Sequence, residues 1–197
     1  SNPPWSLGSR VRGRLRAASA VSGPQVRANV YVDGFNLYYG ALKGTPYRWL
    51  DLAKLCALLL KGDSIRRIRY FTARIQPEPN NTDKASRQQL YLRALAGTPN
   101  LSVHLGHYLS HPVRMPLAQP RPGQARTVEV IRTEEKGSDV NLATYLLLDA
   151  FDKDYELAVV ISNDSDLLLP IETVRHRFGL TVGILNPQKR PSVVLQR

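Results

Sequence analysis

The sequence predicts an α/β protein, a three-layer α/β/α sandwich around a Rossmann-like, mainly parallel sheet. Two observations carry that prediction. Short β-rich runs alternate with helical segments along the chain, as they do when crossover helices join neighbouring strands. The run Leu157-Ala158-Val159-Val160-Ile161 is apolar at every position, as in a strand covered on both faces, which has no solvent side to alternate toward. At 197 residues the chain is about one domain in size, long enough to bury a real core.

The elements follow in order. Val30-Tyr31-Val32 is a short strand ending at Asp33-Gly34, and Phe35 to Leu42 then has helical spacing. Asp51 can cap a second helix through Leu60, with Leu52, Leu55, Leu58 and Leu59 on one face. Ile65 to Ala73 reads as a strand. After a Pro-rich loop at Pro77-Glu78-Pro79, Asp83 to Ala96 reads as a helix closed by Gly97. Leu101 to Leu109 and Thr127 to Arg132 alternate apolar with polar residues, which predicts an antiparallel pair joined by a long, Pro-rich, basic loop. Ser138 to Phe151 is helical, Leu157 to Ile161 is the apolar strand, Asp166 to Phe178 is a helix stopped by Gly179, and Thr181 to Leu185 is the last strand. No internal repeat is visible.

Charge narrows the function. Lys and Arg number 27 against 16 Asp and Glu, a net charge of +11, and a chain that basic calls for a polyanion, of which nucleic acid is the commonest. The acids are unevenly placed. None precedes Asp33 and none falls between Asp83 and Glu129. Residues 1–27 carry Arg10, Arg12, Arg14, Arg16 and Arg27 among Ser, Gly, Pro and Ala, which reads as a flexible basic tail with weak affinity for phosphates. The same composition also resembles an organelle transit peptide, and Ser1-Asn2 resembles the remnant of a removed tag. The single cysteine, Cys56, sits in an apolar run and is expected to be a buried thiol in a reducing, cytoplasmic setting. The longest apolar run, Leu55 to Leu60, is far shorter than the about 18 residues of a membrane span, so no membrane is expected as a partner.

In open α/β sheets, ligands bind beyond the carboxyl ends of the strands. Three acidic clusters fall at that edge: Asp33 with Asn36 after the first strand, Glu134-Glu135-Lys136-Gly137-Ser138-Asp139 before a helix, and Ser162-Asn163-Asp164-Ser165-Asp166 after the apolar strand. Each has a structural reading, because Asp, Asn and Ser at such junctions cap helices; Ser138, Asp139 and Asp164 could all serve so. Capping alone does not predict an Asp-x-Asp pair in addition to an Asp at the first strand. Three carboxylate clusters at one edge repel unless a cation neutralises them, and carboxylate-only ligation suits a hard ion, Mg²⁺ or Mn²⁺. Zinc is not expected: one cysteine and the scattered His104, His107, His111 and His176 offer no ligand spacing. Neither a phosphate-cradling Gly-x-x-x-x-Gly-Lys-Ser/Thr nor a Ser-His-Asp arrangement is present.

At these residues the chain resembles the NYN domain family of the PIN-like nuclease superfamily, over about residues 28–190. The resemblance rests on Val30-Tyr31-Val32-Asp33-Gly34-Phe35-Asn36-Leu37-Tyr38, on Glu135-Lys136-Gly137-Ser138-Asp139-Val140-Asn141-Leu142-Ala143, and on Val160-Ile161-Ser162-Asn163-Asp164-Ser165-Asp166-Leu167, in this order. It implies a nuclease domain over residues 28–197 with a divalent-metal site that maps to Asp33, Asp139, Asp164 and Asp166, and a polar site residue at Asn36. Asn163 stands where many relatives have Gly, which is tolerable if its backbone turns left-handed. Relatives often continue with another element after the Lys-Arg-Pro that is here Lys189-Arg190-Pro191, which implies truncation at the C-terminus.

The function so implied is a metal-dependent endoribonuclease. One or two ions held by Asp33, Asp139 and Asp164 would bind the scissile phosphate and lower the pKa of an attacking water. Asp166 is assigned to a second metal or to a supporting role, Asn36 and Ser162 to orienting substrate or water, Lys136 to a phosphate contact, and Glu135 to an optional carboxylate. Arg114, Arg121 and Arg126 in the long loop are candidates to neutralise the rest of the strand, with Arg66, Arg67 and Arg69 near the second strand. Alternation splits those three between the two faces, so not all of them are expected on the track. Tyr38, Tyr39 and Trp49 are candidates to stack bases, with core packing as the alternative. RNA is the expected partner, DNA remains open, and so does a homodimer. The competing reading is a noncatalytic RNA-binding or regulatory module that keeps the fold. A nucleotide-binding or phosphatase-like protein would need a nucleophilic Asp or a glycine-rich loop that the sequence does not offer.

Overall fold

In a computed structural model of the chain, residues 25–76, 82–121, 123 and 125–196 are described. The expected N-terminal tail lies outside them up to residue 24, as does the expected loop at Pro77-Glu78-Pro79. Six strands form one sheet in the order β4-β3-β2-β1-β5-β6, with β1 Arg27–Asp33, β2 Ser64–Ala73, β3 Leu101–Pro116, β4 Thr127–Lys136, β5 Leu157–Ile161 and β6 Thr181–Leu185. Every pairing is parallel except that of β3 with β4. The helices are α1 Gly34–Leu37, which runs on into one π-helical turn at Tyr38–Leu42, then α2 Leu52–Leu59, α3 Thr82–Ala96, α4 Ser138–Phe151 and α5 Leu168–His176.

The three layers follow from the side-chain period of the central strands. In β1, Val30 and Val32 face one way and join Leu37, Leu42, Leu52, Cys56, Leu60 and Leu95 from α1, α2, α3 and their flanks. Tyr31 faces the other way and joins Leu142, Leu146, Ile171 and Val174 from α4 and α5. Two apolar cores, one on each face of the sheet, make the sandwich that the continuous apolar run of β5 predicts. Cys56 is 1% exposed, and burial pushes its thiol up to about 12, so the expected inert, buried cysteine is what the fold contains.

Several local expectations need correction. Leu58 is 66% exposed, and Cys56 takes its place on the buried face of α2. An unbroken apolar run cannot tell a period of 3.6 which face is which. The antiparallel pair is longer than its alternation suggests: His107–Pro116 of β3 pairs with Thr127–Lys136 of β4, which shortens the connecting loop to 117–126 and places Arg114 in a strand opposite Glu129. Because β2 ends at Ala73 opposite Gly106, this paired segment continues as a two-stranded ribbon past the carboxyl end of β2. Ten residues at strand rise carry it roughly 30 Å. The helix expected over Asp166 to Phe178 begins as a 3₁₀ turn, Ser165–Leu167, and becomes α5 only at Leu168.

The correction with most consequence concerns Arg66, Arg67 and Arg69, which are not a free phosphate track. Arg69 makes a bidentate pair with Asp149, through Nε at 2.8 Å and Nη2 at 2.7 Å, and both residues are nearly buried. Arg66 and Arg67 both bind Asp154, at 2.6 and 2.7 Å. Tyr31 donates its hydroxyl to Asp149 at 2.7 Å, and Asn29 donates to Asp154 at 2.9 Å. The sequence does not single out Asn29, Asp149 or Asp154, because what identifies them is a contact across about a hundred residues of chain.

Candidate active site

The acids gather where β1, β5 and the start of α4 meet. Asp33, the last residue of β1, is 4% exposed. Its Oδ1 accepts the Asn36 amide at 2.9 Å, which starts α1, and its Oδ2 accepts the Ser162 hydroxyl at 2.8 Å. Ser162 follows β5 directly, and its Oγ in turn accepts the Asp164 amide at 3.0 Å. Asp164 Oδ1 accepts the Asp166 amide at 3.0 Å and so caps the 3₁₀ turn. Asp33 and Asp164 therefore do cap helical turns, as the structural reading expects. Asp139 does not.

Asp139 lies in the first turn of α4. Gly137 occupies the position before that helix with φ +97°, a left-handed conformation that favours glycine, so Ser138 is not the cap. Ser138 instead donates both its amide, at 3.1 Å, and its hydroxyl, at 2.7 Å, to Glu135. Burial, then Asp33, Asp164, Glu135 and Asp166 in that order, push the Asp139 carboxyl up to about 6. Burial also raises Asp33, against the Asn36 and Ser162 hydrogen bonds that favour its ionised form. The structure thus brings Asp33, Asp139, Asp164 and Asp166 within electrostatic reach of one another, with Glu135 at the margin.

Among the described residues, no three His, Cys, Asp or Glu side chains stand close enough to hold a metal ion between them. The donor chemistry nevertheless fits one kind of ion. All the donors are carboxylate oxygens, and no Lys or Arg is among the groups that shift Asp139 or Asp33. Mg²⁺ commonly keeps several waters and uses only one or two carboxylates, so a loose carboxylate set is compatible with it where a tight cage is not required. Asp33, Asp139 and Asp164 are the residues that could hold it, with Asp166, which is exposed, at the rim.

The remaining candidates divide. Asn36 is fixed: its Oδ1 accepts the Asn163 amide at 3.3 Å and Gln188 Nε2 at 3.2 Å. Gln188 escapes sequence reasoning because only the fold brings it back to α1. Asn163 is absent from the left-handed residues, so it is not a stand-in for glycine; its side chain pins the segment after β6 by donating to Arg190 O at 3.1 Å and accepting the Ser192 amide at 2.6 Å. Lys136 is exposed and paired with Glu134 at 3.0 Å, and Arg132 pairs with the same carboxylate. Arg114 is on the ribbon, while Arg121 and Arg126 are exposed in the loop at its tip, at the opposite end of the paired segment from Lys136. His104 stacks on Phe71 with 5.0 Å between ring centres and packs tilted against Tyr145 at 4.2 Å.

The family match agrees with this fold. The NYN domain family matches residues 27–197. 6-Hydroxy-3-succinoylpyridine 3-monooxygenase HspA of Pseudomonas putida (strain DSM 28022 / S16) is 31% identical over 186 residues. That alignment takes in 82% of this chain and 60% of that protein, so the chain spans under two thirds of its relative's length. A solved structure of a protein of unknown function, VPA0982 from Vibrio parahaemolyticus RIMD 2210633, is 18% identical, covering 83% of this chain and 82% of that one with a TM-score of 0.46.

Proposed function

The chain belongs to the NYN domain family, within the PIN-like superfamily, and on that footing we propose that it is a divalent-metal-dependent nuclease hydrolysing RNA phosphodiester bonds. The observation that carries the proposal is Asp139, a carboxyl raised by burial and by four neighbouring carboxylates in a chain of net charge +11. A basic protein has no structural need to gather its few acids at one strand edge. A bound Mg²⁺ or Mn²⁺ supplies neutralising charge and an acidified water. The chain's own groups do the positioning. Ser162 Oγ–H holds the Asp33 carboxylate, the Asp166 amide holds that of Asp164, and Asn36 is aimed by Asn163 and Gln188. Water adds to phosphorus as the bond to O3′ breaks, leaving a 5′-phosphate and a 3′-hydroxyl.

The test is incubation of the purified protein with labelled RNA and DNA pools and Mg²⁺ or Mn²⁺, beside Asp164→Asn and a chelator control. Cleavage lost in both controls supports the proposal, and cleavage that survives either one sinks it. Retardation of RNA without cutting supports the noncatalytic binding module instead. The similarity to a monooxygenase favours a second reading, oxygenation of a small aromatic acid. Oxygen consumption on addition of a hydroxylated succinoylpyridine together with a two-electron donor such as a reduced nicotinamide, with one oxygen atom entering the substrate, the other leaving as water and RNA left intact, would establish that reading.

A further inference from the structure

Alongside α1 lies a cleft of about 90 Å³. Six of its described lining residues are aromatic: Phe35, Tyr38, Tyr39, Trp49, Tyr70 and Tyr91. Tyr39 and Trp49 are 49% and 47% exposed, so two large rings are left half-uncovered in a concavity. The described lining includes Arg48 and Arg87 and no Asp or Glu. Arg48 has no ion pair among the described residues, and Arg87 has only a long, exposed contact with Asp83 at 3.8 Å.

Tyr91 donates to Leu50 O at 2.8 Å, and Gln88 clips α3 to the end of β2 through Ile75 N at 3.0 Å and Ala73 O at 2.8 Å. Those are committed to the fold. Tyr70 and Thr72, residues 7% and 2% exposed, also line the cleft. The cleft also reaches the residue that follows Asp33. A Cβ on Gly34, the residue after Asp33, would stand 2.6 Å from the Tyr70 ring and 2.8 Å from Phe71 O, so only glycine lets that ring pack against the strand end.

We propose that this cleft is a base-stacking subsite, taking one unpaired nucleobase of the strand whose phosphate lies at Asp33 and Asp139, with Arg48 and Arg87 facing a neighbouring phosphate. The proposal rests on the nucleic-acid reading of the acidic site. Aromatic faces select a flat π surface and cationic rims select the anion beside it, a pairing that fits a nucleotide. A paired base has its faces covered by its neighbours, so the subsite makes the substrate single-stranded at this nucleotide.

The test is binding in the presence of chelator, so that nothing is cut. Fluorescence anisotropy of a labelled single-stranded hexanucleotide is expected to report affinity roughly tenfold weaker for Trp49→Ala and for Arg48→Ala, with Trp49→Phe retaining most of it. Arg48 and Trp49 are exposed, and circular dichroism checks that each variant keeps the fold. In a Trp5→Phe chain, where Trp49 is the sole tryptophan, the hexanucleotide is expected to quench its emission and the same sequence as a duplex is not. Wild-type affinity in both alanine variants, equal quenching by the duplex, or stronger quenching by a free aromatic carboxylic acid overturns the proposal. If wild type cuts nothing with Mg²⁺ or Mn²⁺ yet single strands still quench Trp49, the nuclease reading falls and the subsite stands. If cutting occurs while Trp49 stays silent, the reverse holds.

Discussion

Asp139 illustrates a conflict between folding and chemistry in one side chain. Its carboxyl is held at about 6 in the folded protein, against an ordinary value near 3.9 in the unfolded chain. Between those two values the folded state binds the proton more tightly, so the contribution of this group to stability is greatest at about pH 4 and below, falls as pH rises toward 6, and stays reduced above it. Asp139→Asn removes that charge. The variant is therefore expected to melt at a higher temperature than wild type at pH 7.5 in chelator, with the gap closing near pH 4; a gap independent of pH would contradict burial and carboxylate repulsion as its cause. Added Mg²⁺ or Mn²⁺ is expected to raise the melting temperature of wild type more than that of the variant. The same variant is expected to lose activity on RNA by about a hundredfold or more, on the scale of removing a group that stabilises charge at a reacting centre. Ser162 acts through Asp33, whose Oδ2 it holds at 2.8 Å. Ser162→Ala is expected to cost about 10- to 100-fold in activity and to raise the divalent-ion concentration needed for half-maximal rate. An unchanged ion requirement would make Ser162 a purely structural residue.

At the scale of the element, the network under β1 and β2 decides what the basic residues are for. Arg69 and Asp149 are 12% and 8% exposed, and removing one member of such a pair leaves the other charge buried alone. Asp149→Ala is accordingly expected to lower the unfolding free energy by about 3–5 kcal/mol in urea titration, with the acid cluster untouched in sequence. A loss under about 1 kcal/mol would show the pair to be dispensable. Asp154 is pushed up by burial but pulled further down, to about 2, by the hydrogen bonds from Arg67 and Asn29 and by the charges of Arg67 and Arg66. Its contribution is complete above about pH 4 and disappears as pH falls through about 2, so it belongs to acid unfolding, opposite in sign to Asp139. The sequence shows β5 and α4 well because each carries an unambiguous local signal, an unbroken apolar run and a helical stripe. It shows Asp33, Asp139 and Asp164 because a strand end is a local feature. The ribbon is hidden because Pro112 and Pro116 read as loop, and an edge strand tolerates a residue without an amide hydrogen. The Asn29-Asp149-Asp154 network, Gln188 on Asn36 and the cleft under Trp49 are hidden for another reason: each joins segments that only the folded sheet brings together.

At the scale of the whole molecule, the net charge of +11 separates into parts with different work. Arg69 is nearly buried on Asp149 and holds the fold, while the half-exposed Arg66 and Arg67 share Asp154 and Arg132 and Lys136 share Glu134, so these cations are partly neutralised where they stand. What remains for a polyanion includes Arg48 and Arg87 at the cleft, Arg126 near the ribbon tip, and Arg10, Arg12, Arg14 and Arg16 in an N-terminal stretch with no acid. Each contact with a phosphate of a single strand releases counterions and contributes about 0.7 to the slope of log affinity against log salt. If all four N-terminal arginines engage, deletion of residues 1–24 flattens that slope by up to about 3 units, and it weakens binding most at low salt. The deletion leaves β1 intact, because Arg27 is its first residue and is tied to Glu156 through its amide at 2.9 Å. The melting temperature and the rate at saturating RNA are therefore expected to stay as in wild type while affinity and its salt dependence fall together. An unchanged slope would return the whole electrostatic role to the folded domain and leave the N-terminal arginines without a part in binding.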